Sequence, residues 1–193
     1  SLLLSSMEFE ALRAYEKALA LNPALDTVKR RVEVLRFRRL QNLITAAQKA
    51  DIDGRHVAAA QAYSEALEIS PESAYLYRGL ALTEREIGNV GSALENITRA
   101  NSLEPSNPNG FIFQAEILES MGDLEGAEQA YSEASRLDPS NINTARLATL
   151  RARLALSRLP PSYRTISDSF SVTRGELAAL VGVRLNSLLF ILP

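Results

Sequence analysis

An all-α solenoid is the fold class that this sequence predicts, and three observations predict it. The chain aligns with itself at a spacing of thirty-four: Gly54, Gly88 and Gly122; Ala59, Ala93 and Ala127; Ala66, Ala100 and Ala134; Pro71, Pro105 and Pro139. Between glycine and proline, Ala93, Leu94, Ile97, Ala100 and Leu103 fall at steps of three and four, which is one face of an α-helix. A hydrophobic fraction of 46% over 193 residues is enough to bury an extended core. A unit copied at this period buries its apolar face only against its neighbours, so the architecture is a stack of copies.

The elements follow in chain order. Ala11, Tyr15, Ala18, Leu21 and Pro23 repeat the pattern of a second helix, so residues 7–22 read as the back half of an earlier repeat and Ser1 to Leu4 as the stump of its first helix. Residues 1–24 are thus a partial repeat, and its open apolar edge leads us to expect more repeats upstream. The Leu2-Leu3-Leu4 run has neither the basic flank nor the apolar length of a signal peptide, and no stretch reads as a transmembrane span. From Pro23 to Pro71 the interval is forty-eight, not thirty-four, and the extra fourteen residues fall in a first helix. Fourteen residues is close to a whole number of turns, so the insertion lengthens that helix without rotating its buried face. One continuous helix from Asp26 to Asp51, roughly 38 Å long, is the result, projecting beyond its neighbours.

Each glycine marks a helix stop where the backbone turns left-handed, and each proline closes the following helix because it has no amide hydrogen to donate. The alanines let helices approach closely, while Tyr63, Ile97 and Tyr131 supply bulk between them. Complete repeats cover residues 40–73, 74–107 and 108–141, and a further helix from Asn143 to Arg158 ends a solenoid that spans 25–158. Pro160-Pro161 and a Ser, Thr and Asp-rich stretch predict a linker over 159–172. Thr173 and Glu176 form a capping box that opens a short apolar helix with Leu177, Ala178, Leu180 and Val181. The apolar run 188–192 either folds back as a cap or opens a domain cut off here.

The repeats resemble the tetratricopeptide repeat, which has small residues at positions eight, twenty and twenty-seven, a bulky one at twenty-four and proline at thirty-two. Position eight is Ala47, Ala81 and Ala115, where the family often has glycine; position four is Leu43, Tyr77 and Phe111, where it often has tryptophan. The resemblance implies a right-handed solenoid of antiparallel helix pairs whose first helices line a concave groove, with positions two, five, nine and twelve facing a ligand. Carried over, these are Gln41, Ile44, Gln48 and Asp51; Tyr75, Arg78, Leu82 and Arg85; Asn109, Ile112, Glu116 and Glu119; and Asn143, Arg146, Leu150 and Arg153. Position twelve alternates in sign, so Asp51, Arg85, Glu119 and Arg153 are within reach of pairing across successive repeats or of reading a ligand. Members with a carboxylate clamp hold chaperone tails with lysine, asparagine and arginine. The corresponding residues here are Ile44, Gln48, Gly79, Asn109 and Phe113, which implies that the clamp is absent.

Residues 173–185 resemble the closing helix of an S-layer homology motif, whose Thr-Arg-Ala-Glu run helps bind cell-wall polysaccharide; here Gly175 replaces alanine, and the usual preceding tryptophan and aspartate are missing. The other reading of 173–193 is a capped helix that packs on the end of the solenoid.

Several classes of chemistry find no support. The chain has no cysteine, which removes disulfides, thiolate catalysis and Cys-ligated zinc. His56 is the single histidine, so no paired-histidine metal motif can form, and its place just after Gly54 reads as an ordinary exposed turn residue. No nucleophile elbow occurs, and Gly88 and Gly91 belong to a repeat turn, with no phosphate loop following. Lys29, Arg30, Arg31, Arg36, Arg38 and Arg39 spread around the long helix without forming one stripe. With a net charge of −2 they read as a solvated surface rather than a nucleic-acid patch.

The expected function is a non-catalytic scaffold, without cofactor or metal, that binds a protein or peptide ligand through its groove. Tyr75, Ile112, Leu82 and the arginines would be its anchors. The alternative is a cell-envelope protein of bacterial style, its repeats linked to a wall-binding S-layer-like module. The envelope is the favoured compartment and the cytoplasm the alternative. An enzyme with the repeats as a regulatory arm would need a catalytic domain outside these residues.

Overall fold

Gly54, Gly88 and Gly122 all have positive φ, at 72°, 94° and 81°, and each closes a helix in the same way. The amide after the glycine reaches back to the carbonyl five residues earlier: Arg55 to Ala50 at 2.8 Å, Asn89 to Glu84 at 2.9 Å and Asp123 to Leu118 at 2.9 Å. The glycine's own amide bonds the carbonyl three residues before it. These paired bonds satisfy carbonyls that the helix end would leave open, and the left-handed residue they require selects glycine.

The computed structural model describes residues 2–158 and, beyond them, 173–175, 177–178 and 181–182; side chains are described from Met7 onward, except 141–143. The elements are α1 (Leu2–Leu21), α2 (Asp26–Ile52), α3 (His56–Ile69), α4 (Ala74–Ile87), α5 (Val90–Leu103), α6 (Pro108–Ser120), α7 (Leu124–Leu137) and α8 (Asn141–Ser157). Among the described residues every regular element is helical, and none is long and apolar enough to cross a membrane. The chain divides into two compact halves, Ser1–Asn96 and Ile97–Pro193.

In the N-terminal half, α1 runs unbroken from Leu2 to Leu21. The expected stump and separate second helix are therefore one helix, because Ser5, Ser6 and Met7 include no residue that stops one. The long helix is confirmed: α2 has 27 residues. Its inward face continues through the insertion, from buried Val32 past half-buried Leu35, Arg39 and Leu43 to buried Ala47 and Ala50, at steps of three and four. The core joins Ala47 to Ala60, Tyr63, Ala66, Leu76 and Leu80. Gly79 is needed for close approach, since a side-chain carbon there would fall 2.6 Å from the Tyr63 ring.

The basic run has a structural use that the sequence reading missed. Arg36 Nη2 lies 2.7 Å from Glu16, Arg38 lies 3.3 Å from Glu8, and Arg31 donates to the Tyr15 hydroxyl at 3.1 Å. The Arg39 guanidinium lies 4.9 Å from the centre of the Phe9 ring. These arginines hold α2 to α1, so they are not simply a solvated surface.

In the C-terminal half the core is Ile97, Ala100, Ala115, Ile117, Ala127, Tyr131, Ala134, Leu147 and Leu150. The Asp123 side chain caps α7 by accepting from the Gly126 amide at 2.9 Å. The predicted last helix is α8, starting two residues earlier than expected. The predicted linker 159–172, Glu176, Leu180 and the apolar run 188–192 lie outside the described residues. The Leu177 amide bonds the Thr173 carbonyl at 2.9 Å, the first bond of a helical turn. Leu177 and Val181 are 54% and 44% exposed.

Candidate functional site

Within the N-terminal half, α2 and α4 bring predicted groove residues together. Gln48 Nε2 donates to the Tyr75 hydroxyl at 2.7 Å. Tyr75 and Leu82, seven residues apart on α4, are 44% and 47% exposed. Arg78 lies between them, half-buried, and Ile44 is also half-buried. An aromatic ring and an aliphatic side chain are thus left open on one helix face, beside a half-buried guanidinium. Arg85 lies 3.6 Å from Glu86.

Behind this surface sits a polar cluster that the sequence did not disclose. The Thr83 hydroxyl, 1% exposed, donates to the Asp51 carboxylate at 2.9 Å, with the Gly79 carbonyl 3.0 Å away competing for the same proton. His56 Nδ1 lies 3.2 Å from the other Asp51 oxygen. His56 is therefore half-buried and bound rather than an ordinary exposed turn residue, because α3 begins where its ring faces the end of α2. Asp51 thus anchors the turn and the next helix from the groove's edge. Burial, and then the nearby Tyr75 and Asp51, push the Tyr63 phenol up to about 12.

The C-terminal half presents an ion-paired surface. Arg146 Nη1 lies 2.8 Å from Glu116, and Arg153 Nη1 lies 2.5 Å from Glu119. The expected repeat-to-repeat pairing at position twelve is present for Glu119 and Arg153. Tyr131 Oη donates to the second Glu119 oxygen at 3.1 Å, and burial and then Glu119 push this phenol, too, up to about 12. A cleft of about 450 Å³ is lined by Glu116, Glu119, Tyr131, Ala145, Arg146, Thr149 and Leu150. Leu150, expected to face a ligand, is 1% exposed and belongs to the core, the reason being that α8 turns this apolar position inward. Ile112 is half-buried and Asn109 exposed; the Asn143 side chain lies outside those described. Tyr131, Ala145 and Thr149 were missed, although Tyr131 follows Glu119 by the same interval that separates Tyr63 from Asp51.

Residues 78–142 match the tetratricopeptide repeat family. The small glutamine-rich tetratricopeptide repeat-containing protein 2 of Mycosarcoma maydis is 28% identical over 122 residues, covering 63% of this chain and 33% of that protein. The chain thus spans about a third of that relative's length. The first tetratricopeptide domain of Spaghetti (RPAP3), solved with the HSP90 peptide SRMEEVD, superposes with a TM-score of 0.57 at 19% identity, covering 61% of this chain and 94% of that one. The Yersinia enterocolitica secretion chaperone SycD, solved with a peptide of the translocator YopD, gives a TM-score of 0.56 at 17% identity over 62% of this chain and 95% of that one. At these identities the likeness to the solved structures concerns the fold, which is the all-α tetratricopeptide type.

Proposed function

We propose that the chain is a non-catalytic adaptor that holds an extended peptide or a partner helix against a first-helix face of its repeats, that of α4 foremost. One observation carries this reading: Tyr75 and Leu82 stand exposed on α4 beside Arg78, while the residues behind them are closely packed. Exposed aromatic, aliphatic and arginine side chains over a rigid support are the composition of binding anchors. The SRMEEVD peptide on the Spaghetti domain and the YopD peptide on SycD are further support, since both neighbours take peptides on this fold.

The two neighbours suggest different ligands, and the side chains here favour one without a terminal-carboxylate requirement. Ile44, Gln48, Gly79, Asn109 and Phe113 stand at the carboxylate-clamp positions, so a terminal carboxylate would meet no cation there. The ligand is read through Tyr75, Leu82 and Arg78 on α4; within the C-terminal half, taken by itself, Ile112 and the Arg146 cleft are the candidate contacts. The test is an alanine scan of Tyr75, Arg78, Ile112 and Arg146 against a partner recovered by affinity capture. Losses of about tenfold at Tyr75 and Arg78 are expected. Unchanged affinity at all four positions removes these faces from consideration, and tight binding of SRMEEVD overturns the ligand class. A wall-binding role for 173–185 rests on the Thr173-Arg174-Gly175-Glu176 run, and failure to co-sediment with purified cell wall ends it.

A further inference from the structure

Every charged residue between Asn141 and Arg158 is an arginine, and all four meet glutamates on the two preceding helices. Arg146 and Arg153 reach Glu116 and Glu119 on α6. Arg151 and Arg158 reach Glu128 and Glu125 on α7, at 2.7 Å and 2.9 Å. Within each pair the arginines are seven residues apart, about two turns, so α8 turns one basic edge toward α6 and another toward α7. Between these edges the apolar contact is narrow. Leu147 and Leu150 are buried, Leu154 and Ala155 are half-buried, and the other described side chains from Thr144 to Ser157 are exposed. By contrast, α7 buries Ala127, Ala130, Tyr131 and Ala134 and is capped by Asp123, whereas α8 starts at Ser140 without a side-chain cap.

We propose that α8 is a charge-held strap across α6 and α7, docked at low ionic strength and released as ionic strength rises, ahead of the helices beneath it. The two kinds of contact respond differently to salt. Buried leucines carry no charge to screen, whereas exposed ion pairs fade as the Debye length falls from about 10 Å at 0.1 M to about 3 Å at 1 M. A 17-residue helix without its dock is marginal in water, so release also unwinds it. Release dismantles the cleft of the C-terminal half, since Ala145, Arg146, Thr149 and Leu150 form its α8 wall. That half therefore has two states: a closed cleft with paired carboxylates, and an open face from which Glu116, Glu119, Glu125 and Glu128 have lost their α8 arginines. No ligand is needed for the change, so this inference and the binding role of the α4 face fail separately.

The test is hydrogen–deuterium exchange of the full chain, read by mass spectrometry across a sodium chloride series from about 0.05 M to about 1 M, with α3 amides in the same sample as the reference. Amides of α8 should exchange at least about tenfold faster at the highest salt, while those of α7 change by less than about threefold. The double variant Glu116→Lys with Glu128→Lys sets two repulsive pairs against the two attractive ones that remain. Its α8 should exchange about tenfold faster at the lowest salt and respond little to added salt, and retained α7 protection shows that it is folded. Exchanging the members of one pair, Glu128→Arg with Arg151→Glu, should return the natural response to within about threefold. An α8 indifferent to salt in the natural chain overturns the proposal. So does loss of α7 protection at the same salt as α8, which would make the event an unfolding of the whole half. A folded double variant that still responds to salt as the natural chain does also overturns it.

Discussion

The two halves solve one problem with different chemistry. Asp51 and Glu119 occupy the same place in the first and third complete repeats, each near a tyrosine whose ionisation burial opposes. In the N-terminal half the carboxylate is held by a buried neutral donor, Thr83, and by His56 across the turn. In the C-terminal half it is held by Arg153, whose side chain is 54% exposed, and by Tyr131. Where position twelve is a carboxylate, it is tethered in both halves, but by different donors. A buried hydroxyl and an exposed guanidinium differ in cost of loss, since the first makes its bond out of reach of water and the second is screened by it.

That difference can be broken in order of size. Gly79→Val forces a branched side chain against the Tyr63 ring and should lower stability by about 3 kcal/mol, read from the urea midpoint. Thr83→Val keeps the shape and removes the hydroxyl that serves Asp51; a loss of about 1.5 kcal/mol is expected. Alkaline titration comes next. Both phenols are raised above their ordinary 10.0, so the folded chain binds these protons more tightly than the unfolded chain does. Their contribution is complete below pH 10 and is lost as pH rises toward about 12, and Tyr63→Phe should flatten part of that fall in the melting temperature. Arg153→Met should cost no more than about 0.5 kcal/mol and nothing measurable in high salt. A larger loss there than at Thr83 would invert the comparison.

The fold was legible because its signals are local and copied. Glycine positions, proline positions and the extra fourteen residues of α2 each follow from backbone rules that act within one or two turns, and α2 ends one residue from its predicted limit. The candidate site was less legible. Tyr75 and Leu82 are exposed as the repeat register predicts, but Leu150 in the same register is buried. That outcome depends on how α8 lies, and no periodicity encodes it. Thr83 was invisible for a related reason: its hydroxyl matters only because Asp51, thirty-two residues earlier, ends beside it. The arginines of α2 read as solvated because their carboxylate and aromatic partners lie on another helix, from Glu8 and Phe9 to Glu16.

The length of α2 has a mechanical consequence. Its outer half grips α1, and its inner half packs on α3 and hydrogen-bonds α4 through Gln48 and Asp51, yet no turn separates them, only one uninterrupted ladder of backbone bonds. A tug applied to α1 is delivered along that rod into the Tyr63 core without a hinge to absorb it. Under load the first helices should give way in one event, whereas residues joined through a glycine turn can peel away stepwise.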